Sequence, residues 1–340
     1  MELTVTPKQA QEHITTNIRA GLVTMLHGHP GIGKSELIRD VTKQFKLKLI
    51  DFRASQMDPT DVNGFGMVID GKAKYVPFDM FPLEDTPIPK GYNGFCLFFD
   101  EANSCSKAVE AALYKVLLDR KIGQKNLHPH TALVCAGNLA TSGAIVNRQG
   151  TATQSRMVHL TLAVDPAGWI QWATKNDLDL RVISYISSLP DQLHVFDPKH
   201  ADKTFACPRT WFFASKILKV IGDAPLRDHL VNLAGTLGEG VARQFVAFTE
   251  TLVDLPSIEE IKKNPATAKL NKKPSLLHAV SHLVAAYLNE ETIETLMIYI
   301  NRMPTEFQVV TLQNALCREK GLEFHDLIQE WGIEKGELLL

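Results

Sequence analysis

The sequence predicts an α/β domain, built on a parallel β-sheet flanked by helices, followed by an all-helical region. Short, unbroken apolar runs alternate with helical patterns as far as Asp165, which is typical of strands buried on both faces of a parallel sheet. A glycine-rich segment, Gly28–Ser35, joins one of these strands to a helix. After Asp165 the strand-like runs largely stop. The predicted domains are an α/β domain over 1–165, a helical domain over 166–255 and a C-terminal helical extension over 256–340.

The elements of the first domain follow from apolar spacing and from turn residues. Helical spacing of apolar side chains marks the helices, and continuous apolar runs mark the strands. The Asp70-Gly71 pair predicts the turn of a hairpin. The predicted elements are, in chain order, a helix at Thr6–Ala20, a strand at Leu22–Gly28, a helix at Ser35–Phe45, a strand at Leu47–Ser55, a hairpin at Met67–Val76, a strand at Gly94–Ala102, a helix at Lys107–Leu118, and strands at His130–Asn138 and Met157–Val164.

The region after Asp165 is predicted to consist of helices and loops. The polar, proline-bearing stretch Ser257–Lys273 predicts a loop between helical parts. The apolar segment Leu276–Leu288 has two interpretations, packing in a core or docking a partner, and core packing is favoured. The predicted helices are Pro166–Lys175, Leu180–Leu189, Pro208–Ile221, Leu226–Val253, Pro274–Leu288, Glu291–Arg302 and Glu306–Arg318.

Composition excludes several classes of protein. The 45% hydrophobic and 22% charged fractions are ordinary for a globular protein, and a net charge of −2 gives no global attraction to nucleic acid or anionic lipid. Five scattered cysteines without a C-x-x-C pair favour reduced thiols over a disulfide framework or a zinc site. The first residues lack the pattern of a signal peptide, and no apolar run has the length of a membrane helix. We therefore expect a soluble, cytoplasmic protein that makes no contact with a membrane.

The segment Gly28–Ser35, GHPGIGKS, matches the phosphate-binding pattern G-x-x-x-x-G-K-[ST] between a strand and a helix. Glycines let consecutive N–H groups turn toward phosphate oxygens, and the helix contributes its positive N-terminal end. Lys34 is expected to reach the β- and γ-phosphates, and the Ser35 hydroxyl to ligate Mg²⁺. The pattern predicts a site for ATP and Mg²⁺. Its predicted cofactor-binding residues are Gly28, His29, Pro30, Gly31, Ile32, Gly33, Lys34, Ser35, Glu36 and Asp100, with Ser35 and Asp100 at the metal.

Two carboxylates and an amide end later apolar strands. Asp100 closes a strand about 70 residues after the glycine-rich loop and is suited to hold Mg²⁺ through its water shell. Glu101 is suited to orient and deprotonate the attacking water. Asn138 ends the next strand, where its amide either contacts that water or the γ-phosphate, or only forms a turn. Together with the loop, these residues predict an enzyme that hydrolyses ATP to ADP and phosphate.

Further segments follow these motifs in a recognisable order. DPTDVNGFG (Asp58–Gly66) precedes the hairpin Met67–Val76, the carboxylates lie in FFDEANSCSKAVEAALYKVLLDRKIG (Phe98–Gly123), and CPR (Cys207–Arg209) opens a later helix. This set resembles AAA+ ATPases and, within them, the MoxR branch, with its acidic segment, helix-two insert, D-E-I-N-R-A pattern and S-P-R at the lid. The resemblance covers about Thr6–Leu218.

The resemblance implies roles for residues that the motifs alone leave open. Asn138 corresponds to the sensor I residue, Arg209 to the sensor II arginine of a helical lid (166–255), and Arg156 to the catalytic arginine finger. Arg148 competes with Arg156 for the finger role. The sequence also departs from the branch: Ser104 replaces an arginine, GNLA replaces N-P after the asparagine, and Met follows Arg156. These departures leave the subfamily and the finger residue open.

The resemblance further implies a homo-oligomeric ring, with a hexamer as the expected size, and a site completed by a neighbouring subunit. In the hairpin, Lys72, Lys74 and Tyr75 are either pore-facing or simply solvated. The leading hypothesis is a remodelling chaperone that acts on a protein client, such as a von Willebrand factor A-domain partner. The alternatives are a nucleic-acid-directed motor or loader, for replication or a mobile element, and a scaffold that ATP only assembles.

Overall fold

A computed structural model describes residues 3–143, 147, 150–199, 202–252, 255–319 and 321–335 of the chain. The chain divides into two compact units. The first, an α/β unit, comprises 1–164 with 197–199, and the second, a helical unit, comprises 165–196 with 200–340. The finer division of the helical unit at residue 255 stays a prediction.

The α/β unit is built on a six-stranded parallel sheet, and the predicted fold class is confirmed. The strands of the sheet are β1 (Thr4–Val5), β2 (Val23–Gly28), β3 (Leu47–Arg53), β6 (Gly94–Asp100), β9 (Thr131–Asn138) and β10 (Met157–Leu162). Their order across the sheet is β1-β10-β2-β9-β6-β3, and every neighbouring pair is parallel. The most central strands are therefore β2 and β9.

Helices cover both faces of this sheet, which explains the unbroken apolar runs. They are α1 (Pro7–Arg19), α2 (Lys34–Gln44), α3 (Pro59–Asn63), α4 (Lys107–Asp119) and α5 (Thr151–Gln154). All seven residues of β6 are buried. Phe98 packs in a cluster with α1 and α2, whereas its neighbour Phe99 packs in a second cluster with α4. Alternation of side chains along a strand directs successive residues to opposite faces, so both sets must be apolar.

Two short hairpins lie outside the main sheet. The predicted hairpin forms from β4 (Phe65–Ile69) and β5 (Lys72–Val76), with Asp70 and Gly71 at positive φ in its turn. A smaller one, β7 (Lys121–Ile122) with β8 (Lys125–Asn126), has no counterpart in the sequence prediction.

The helical unit contains ten α-helices in its described residues. They are α6 (Pro166–Lys175), α7 (Leu180–Ser188), α8 (Pro208–Ile221), α9 (Leu230–Leu237), α10 (Glu239–Thr251), α11 (Ile258–Lys263), α12 (Pro274–Tyr287), α13 (Ile293–Ile300), α14 (Thr305–Arg318) and α15 (Asp326–Lys335). Helix α12 packs against α7 and α14. Its residues Leu277, Val280 and Val284 lie in a buried cluster, so the core interpretation of Leu276–Leu288 is confirmed.

Two predictions for this unit are wrong. The single helix predicted at Leu226–Val253 is interrupted at Gly238. The backbone angles of this glycine, φ 86° and ψ 149°, do not occur in a helix. The predicted loop Ser257–Lys273 contains α11, because Ser257 accepts a hydrogen bond from the Glu260 N–H as an N-cap and Ile261 is buried. Helix α15 has no counterpart among the predicted helices.

Two negative findings concern the described residues alone. None of the helices there is long and apolar enough to cross a membrane. In the same part of the chain, no group of three or more His, Cys, Asp and Glu side chains is arranged to hold a metal ion by itself.

Candidate active site

The carboxyl ends of four neighbouring strands bring the predicted site residues together. In the register of β2 and β9, Gly28 lies opposite Asn138. In the register of β3 and β6, Arg53 lies opposite Asp100. Because parallel strands end at one edge of a sheet, four polar or glycine-rich strand ends that are distant in the sequence become neighbours. In open α/β sheets this edge is the usual place for a ligand.

The glycine-rich loop takes the backbone conformation that its glycines allow. Gly31 and Gly33 have φ values of 79° and 96°, which residues with a Cβ rarely adopt. A Cβ at Gly28 would lie 2.6 Å from the Ile32 Cδ1 atom, so a larger residue at the end of β2 would have to displace the tip of the Ile32 side chain. Helix α2 starts at Lys34 directly after the loop. Its first N–H groups and its positive end therefore border the loop, as an anion site requires.

Lys34 is buried and connects the loop to β9. Its Nζ donates hydrogen bonds to the carbonyl oxygens of Gly28 (2.8 Å) and His29 (2.9 Å) and to Asn138 Oδ1 (3.1 Å). Only 8% of Lys34 is exposed. A buried ammonium needs such partners, because desolvation disfavours its charge. The residue predicted to contact the β- and γ-phosphates is thus fixed against the residue predicted to contact the attacking water.

Ser35 and Asp100 form the second contact of the site. The Ser35 Oγ atom donates to Asp100 Oδ2 at 2.8 Å, and Asp100 is buried at the end of β6. A hydroxyl and a carboxylate at this separation are the hard oxygen donors that Mg²⁺ prefers alongside water and phosphate oxygens. The donor set therefore fits Mg²⁺ bound with a nucleotide.

Glu101 has a strained backbone, and its side chain is held by Arg53 at the end of β3 and by Ser55 in the turn that follows. Its φ is 57°, a left-handed value that costs a residue with a Cβ of the order of 1 kcal/mol. Its carboxylate accepts a hydrogen bond from Arg53 Nη1 at 3.3 Å on Oε1 and one from the Ser55 hydroxyl on Oε2. Arg53 Nη1 also lies 3.5 Å from Asp100 Oδ2. The two predicted carboxylates are thus bridged by one arginine.

An asparagine pair fixes the end of β9. The Asn103 amide donates from Nδ2 to the Asn138 carbonyl at 2.7 Å and accepts the Asn138 N–H on Oδ1 at 3.2 Å. A Cβ at Gly137 would lie only 2.3 Å from Asn103 Oδ1, so this approach requires glycine there. The backbone of Asn138 is therefore determined by Asn103, and its side chain is left to face Lys34.

The other predicted loop residues surround these contacts. His29 is partly buried, and its pKa is lowered from the ordinary histidine value by burial and by the nearby Lys34 charge. Ile32 is buried and packs in the cluster of α1 and α2. Pro30 is half-buried between them, and Glu36 is exposed in the first turn of α2, 3.5 Å from Arg39. The variable loop positions are thus either packed or solvated.

Two of the predicted arginines are exposed side chains, Arg156 in the α/β unit and Arg209 in the helical unit. Arg156 is exposed directly before β10, with its guanidinium 4.9 Å from the ring centroid of Tyr114 on α4. Arg209 is exposed in the first turn of α8, in the helical unit. Arg148 lies outside the described residues. The finger role of Arg156 and the sensor role of Arg209 stay predictions.

Sequence reasoning missed three residues that contact the site, namely Arg53, Ser55 and Asn103. For Arg53 a signal existed, since it ends the apolar strand β3 as Asp100 ends β6. The sequence prediction places Ser55 in that strand, but it lies in a 3-10 turn over Ala54–Gln56. Asn103 gives no signal beyond its place after the carboxylates, because its partner is 35 residues away.

Known proteins resemble this chain only weakly. No protein-family model matches the sequence, and no curated protein matches it either. The chain is similar to NtrX from Brucella abortus in complex with ATP, with 12% identity, a TM-score of 0.43 and coverage of 100% of this chain and 70% of that chain. It is also similar to a proline-to-glycine mutant of Thermotoga maritima RuvB, with 16% identity, a TM-score of 0.39 and coverage of 76% and 74%.

A lysine-to-arginine mutant of the same RuvB has 18% identity, a TM-score of 0.37 and coverage of 76% of this chain and 73% of that chain. With TM-scores this low, the class of the protein rests on its own strand order and loop geometry. The parallel sheet and the strand–loop–helix at Gly28–Ser35 define an α/β P-loop fold.

Proposed function

We propose that this protein binds ATP with Mg²⁺ at the carboxyl edge of the sheet and hydrolyses it to ADP and phosphate. The observation that carries the proposal is the pair of contacts Lys34–Asn138 (3.1 Å) and Ser35–Asp100 (2.8 Å), which join the start of α2 to the ends of β9 and β6. The groups proposed to bind phosphate, to bind the metal and to orient the water are therefore neighbours. A loop that only bound phosphate would not need the two carboxylates.

Each residue then has a defined task. The N–H groups of the loop and the start of α2 bind phosphate oxygens, and Lys34 neutralises their charge. Ser35 and Asp100 would hold Mg²⁺, which would supply neutralisation of the phosphate charge. Glu101 orients a water and accepts its proton, which requires its carboxylate to leave Ser55 or Arg53. Asn138 fixes the position of that water or of the γ-phosphate.

Multiple-turnover phosphate release tests this proposal. We expect Lys34→Ala to abolish nucleotide binding, and Glu101→Gln to lower turnover by about 100-fold or more while ATP still binds. Lys43→Ala is a matched control, because this lysine on α2 is exposed and pairs with Asp40 on the same helix. Absence of phosphate release from the wild type, with ATP bound, would instead support a scaffold that nucleotide only assembles.

We further propose that the protein is an AAA+ ATPase of the MoxR type that works as a homo-oligomeric ring. The support is the order of motifs in the sequence together with the exposed position of Arg156 before β10, where a neighbouring subunit can receive it. An arginine that acts on a neighbour's γ-phosphate contributes about 10³–10⁵ in rate in other systems.

A mixing experiment tests whether the arginine acts between subunits. Arg156→Ala and Lys34→Ala are each expected to be inactive alone, while their mixture regains activity where an intact loop meets an intact arginine. The matched variant Arg148→Ala shows which arginine supplies the effect. Full activity of Arg156→Ala, or a mixture as inactive as its parts, argues against the shared site.

The finer role, remodelling of a protein client such as a von Willebrand factor A-domain partner, extends the MoxR resemblance. We expect Glu101→Gln to retain ATP and to trap such a client, and a purified client to stimulate wild-type ATPase activity. For the nucleic-acid alternative, the hairpin lysine Lys74 lies 3.5 Å from Asp70 on the same hairpin. DNA that stimulates the ATPase in a salt-sensitive way would nevertheless favour that alternative.

A further inference from the structure

Arg53 places a positive charge between the two carboxylates of the candidate ATP site. It ends β3 and lies opposite Asp100, which ends β6. One guanidinium nitrogen, Nη1, lies 3.5 Å from Asp100 Oδ2 and donates a hydrogen bond to Glu101 Oε1 at 3.3 Å. The tasks proposed for ATP hydrolysis do not require an arginine at this position. Its contacts therefore need an explanation of their own.

The Asp100 oxygen next to Arg53 is the one that remains for a metal. Asp100 Oδ1 accepts a hydrogen bond from the Glu101 N–H at 2.9 Å, so a backbone group occupies it. Asp100 Oδ2 accepts the Ser35 hydroxyl at 2.8 Å and is the oxygen that Arg53 approaches. The guanidinium and a Mg²⁺ ion held by Ser35 and Asp100 would therefore depend on the same oxygen. Two cations so close together repel each other, and this repulsion is screened less beside a buried carboxylate than in water.

The contact of Arg53 with the carboxylates is loose enough to be reversible. The Arg53 side chain is 47% exposed, whereas that of Asp100 is only 8% exposed. A firmly held arginine in this protein has a different geometry, since Arg181 donates to both oxygens of Asp179, from Nε at 2.9 Å and from Nη2 at 2.7 Å. Two such hydrogen bonds are stronger than the contacts of one nitrogen that two carboxylates share. Arg53 can therefore turn into solvent when another cation takes its place.

The charged side chains of the site balance one another without a metal. Lys34 and Arg53 contribute two positive charges, and Asp100 and Glu101 contribute two negative charges, so their sum is zero. A neutral site has little attraction for a divalent cation, whereas a bound triphosphate adds the negative charge that attracts one. Without Arg53 the same site would be negative before any nucleotide binds.

We propose that Arg53 is a positioning residue that competes with Mg²⁺ for Asp100 and thereby makes metal binding depend on nucleotide. In the nucleotide-free site its guanidinium neutralises the carboxylate pair. When a nucleotide adds phosphate charge, Arg53 leaves Asp100 Oδ2 free for the metal, and it returns to the carboxylates when phosphate departs. Because binding energies are linked, Arg53 favours joint binding of metal and nucleotide over binding of the metal alone. This inference rests on the proposed function, since it concerns the same Mg²⁺ site.

Binding of Mn²⁺ to the nucleotide-free protein tests this proposal. Free Mn²⁺ gives an EPR signal that is lost on binding, so the titration measures metal affinity without any turnover. We expect Arg53→Gln to bind Mn²⁺ at least about tenfold more tightly than the wild type, because one positive charge is removed from a carboxylate that the metal also contacts. Arg53→Lys keeps the charge and should resemble the wild type. In the double variant Arg53→Gln with Asp100→Asn, the gain in affinity should disappear.

Arg39→Gln is a matched control for the loss of one positive charge in the same unit. Arg39 lies on α2, and its side chain is 45% exposed, almost as much as that of Arg53. It pairs with two carboxylates, those of Glu36 and Asp51, and neither of these residues is proposed to hold Mg²⁺. We expect Arg39→Gln to leave the Mn²⁺ affinity within about twofold of the wild type, because exposed ion pairs have small effects.

Three results would overturn the proposal. They are equal Mn²⁺ affinity of Arg53→Gln and the wild type, an equal gain in Arg39→Gln, and a gain that Asp100→Asn does not remove. Arg53→Met is a second neutral replacement, which keeps the test decisive if glutamine at this position disturbs the fold. Failure of the proposed function has a different signature: the wild type would not bind the fluorescent nucleotide mant-ATP in the presence of Mg²⁺. Failure of the present inference alone would leave that binding intact.

Discussion

At the scale of single residues, the candidate site depends on side chains that support other side chains. Asn103 is not among the predicted site residues, yet it forms hydrogen bonds with both the N–H and the carbonyl group of Asn138. Asn138 in turn contacts Lys34 through its side chain. The backbone and side chain of one residue are therefore supported by different partners, and mutations can separate the two.

Replacement of the two asparagines should have different consequences. Asn103→Ala leaves two polar backbone groups without partners, so we expect a loss of stability of about 1–3 kcal/mol as well as lower ATPase activity. Asn138→Ala keeps the backbone pairing and removes one contact to a charged group, so turnover should fall about 10- to 100-fold with little change in stability. Denaturant titration and phosphate release measure the two effects. Similar stability of both variants would contradict this interpretation.

A second residue-scale prediction concerns Ser55. Its hydroxyl donates a hydrogen bond to the Glu101 carboxylate, which we propose accepts a proton from water. We expect Ser55→Ala to raise basal turnover about two- to fivefold, the equivalent of one neutral hydrogen bond. The double variant Ser55→Ala with Glu101→Gln should be as inactive as Glu101→Gln alone. If Ser55→Ala lowers turnover, the hydroxyl positions the carboxylate for catalysis instead.

At the scale of elements, one glycine decides the structure of a long helical pattern. Apolar periodicity continues from α9 to α10, which is why the sequence predicts a single helix there. Gly238 interrupts it with backbone angles that are almost restricted to glycine. A Cβ there would lie 3.5 Å from the Thr204 carbonyl oxygen, an ordinary contact, so the restriction comes from the backbone and not from crowding.

Two glycine-to-alanine changes three residues apart should therefore act in opposite directions. Gly235 lies inside α9 with open space around its Cβ position, so Gly235→Ala should stabilise the helical unit by about 0.5–1 kcal/mol. Gly238→Ala should destabilise it by about 1–3 kcal/mol. The four tryptophans, Trp169, Trp172, Trp211 and Trp331, all belong to this unit, so tryptophan fluorescence during urea unfolding reports on it alone. Equal effects of the two changes on stability would show that the backbone conformation of Gly238 does not cause the break between α9 and α10.

At the scale of the whole molecule, the helical unit contains a buried histidine that connects three helices. His282 on α12 contacts the Ser187 hydroxyl on α7 at 2.7 Å and the Asn314 amide on α14 at 3.2 Å. The amide donates to Nδ1, so the neutral ring donates from Nε2 to Ser187. Burial lowers the pKa of His282 to about 3, with a smaller effect of His278, whose own pKa is also lowered by burial.

This histidine makes the stability of the helical unit dependent on pH. The unfolded chain takes up the proton near the ordinary pKa of about 6.5, whereas the folded unit resists it down to a pKa of about 3. Stability is therefore full above the unfolded pKa and falls as pH decreases, by about 2 kcal/mol between pH 7 and pH 5. In urea titrations followed by tryptophan fluorescence, His282→Gln should reduce the loss of stability between pH 7 and pH 5 by about 2 kcal/mol. An equal loss of stability in wild type and variant would show that a group other than His282 takes up the proton on unfolding.

The sequence by itself determined the fold class and the residue spacing of the glycine-rich loop. Unbroken apolar strands require cover on both faces, and GHPGIGKS carries its glycines and its lysine at fixed local spacing. Both are local properties, so they can be recognised in the sequence alone. The hairpin at Met67–Val76 and the capped helices α1 and α4 were predictable for the same reason.

Only the tertiary structure decided which distant residues meet. Strand order and register bring Arg53 to Asp100 and Asn103 to Asn138. These contacts depend on the parallel alignment of strands that are far apart in the chain, which no local pattern encodes. The break at Gly238 was missed because the spacing of apolar residues carries no information about backbone angles. The physical limit of the sequence prediction is therefore non-local pairing and the conformation of single residues.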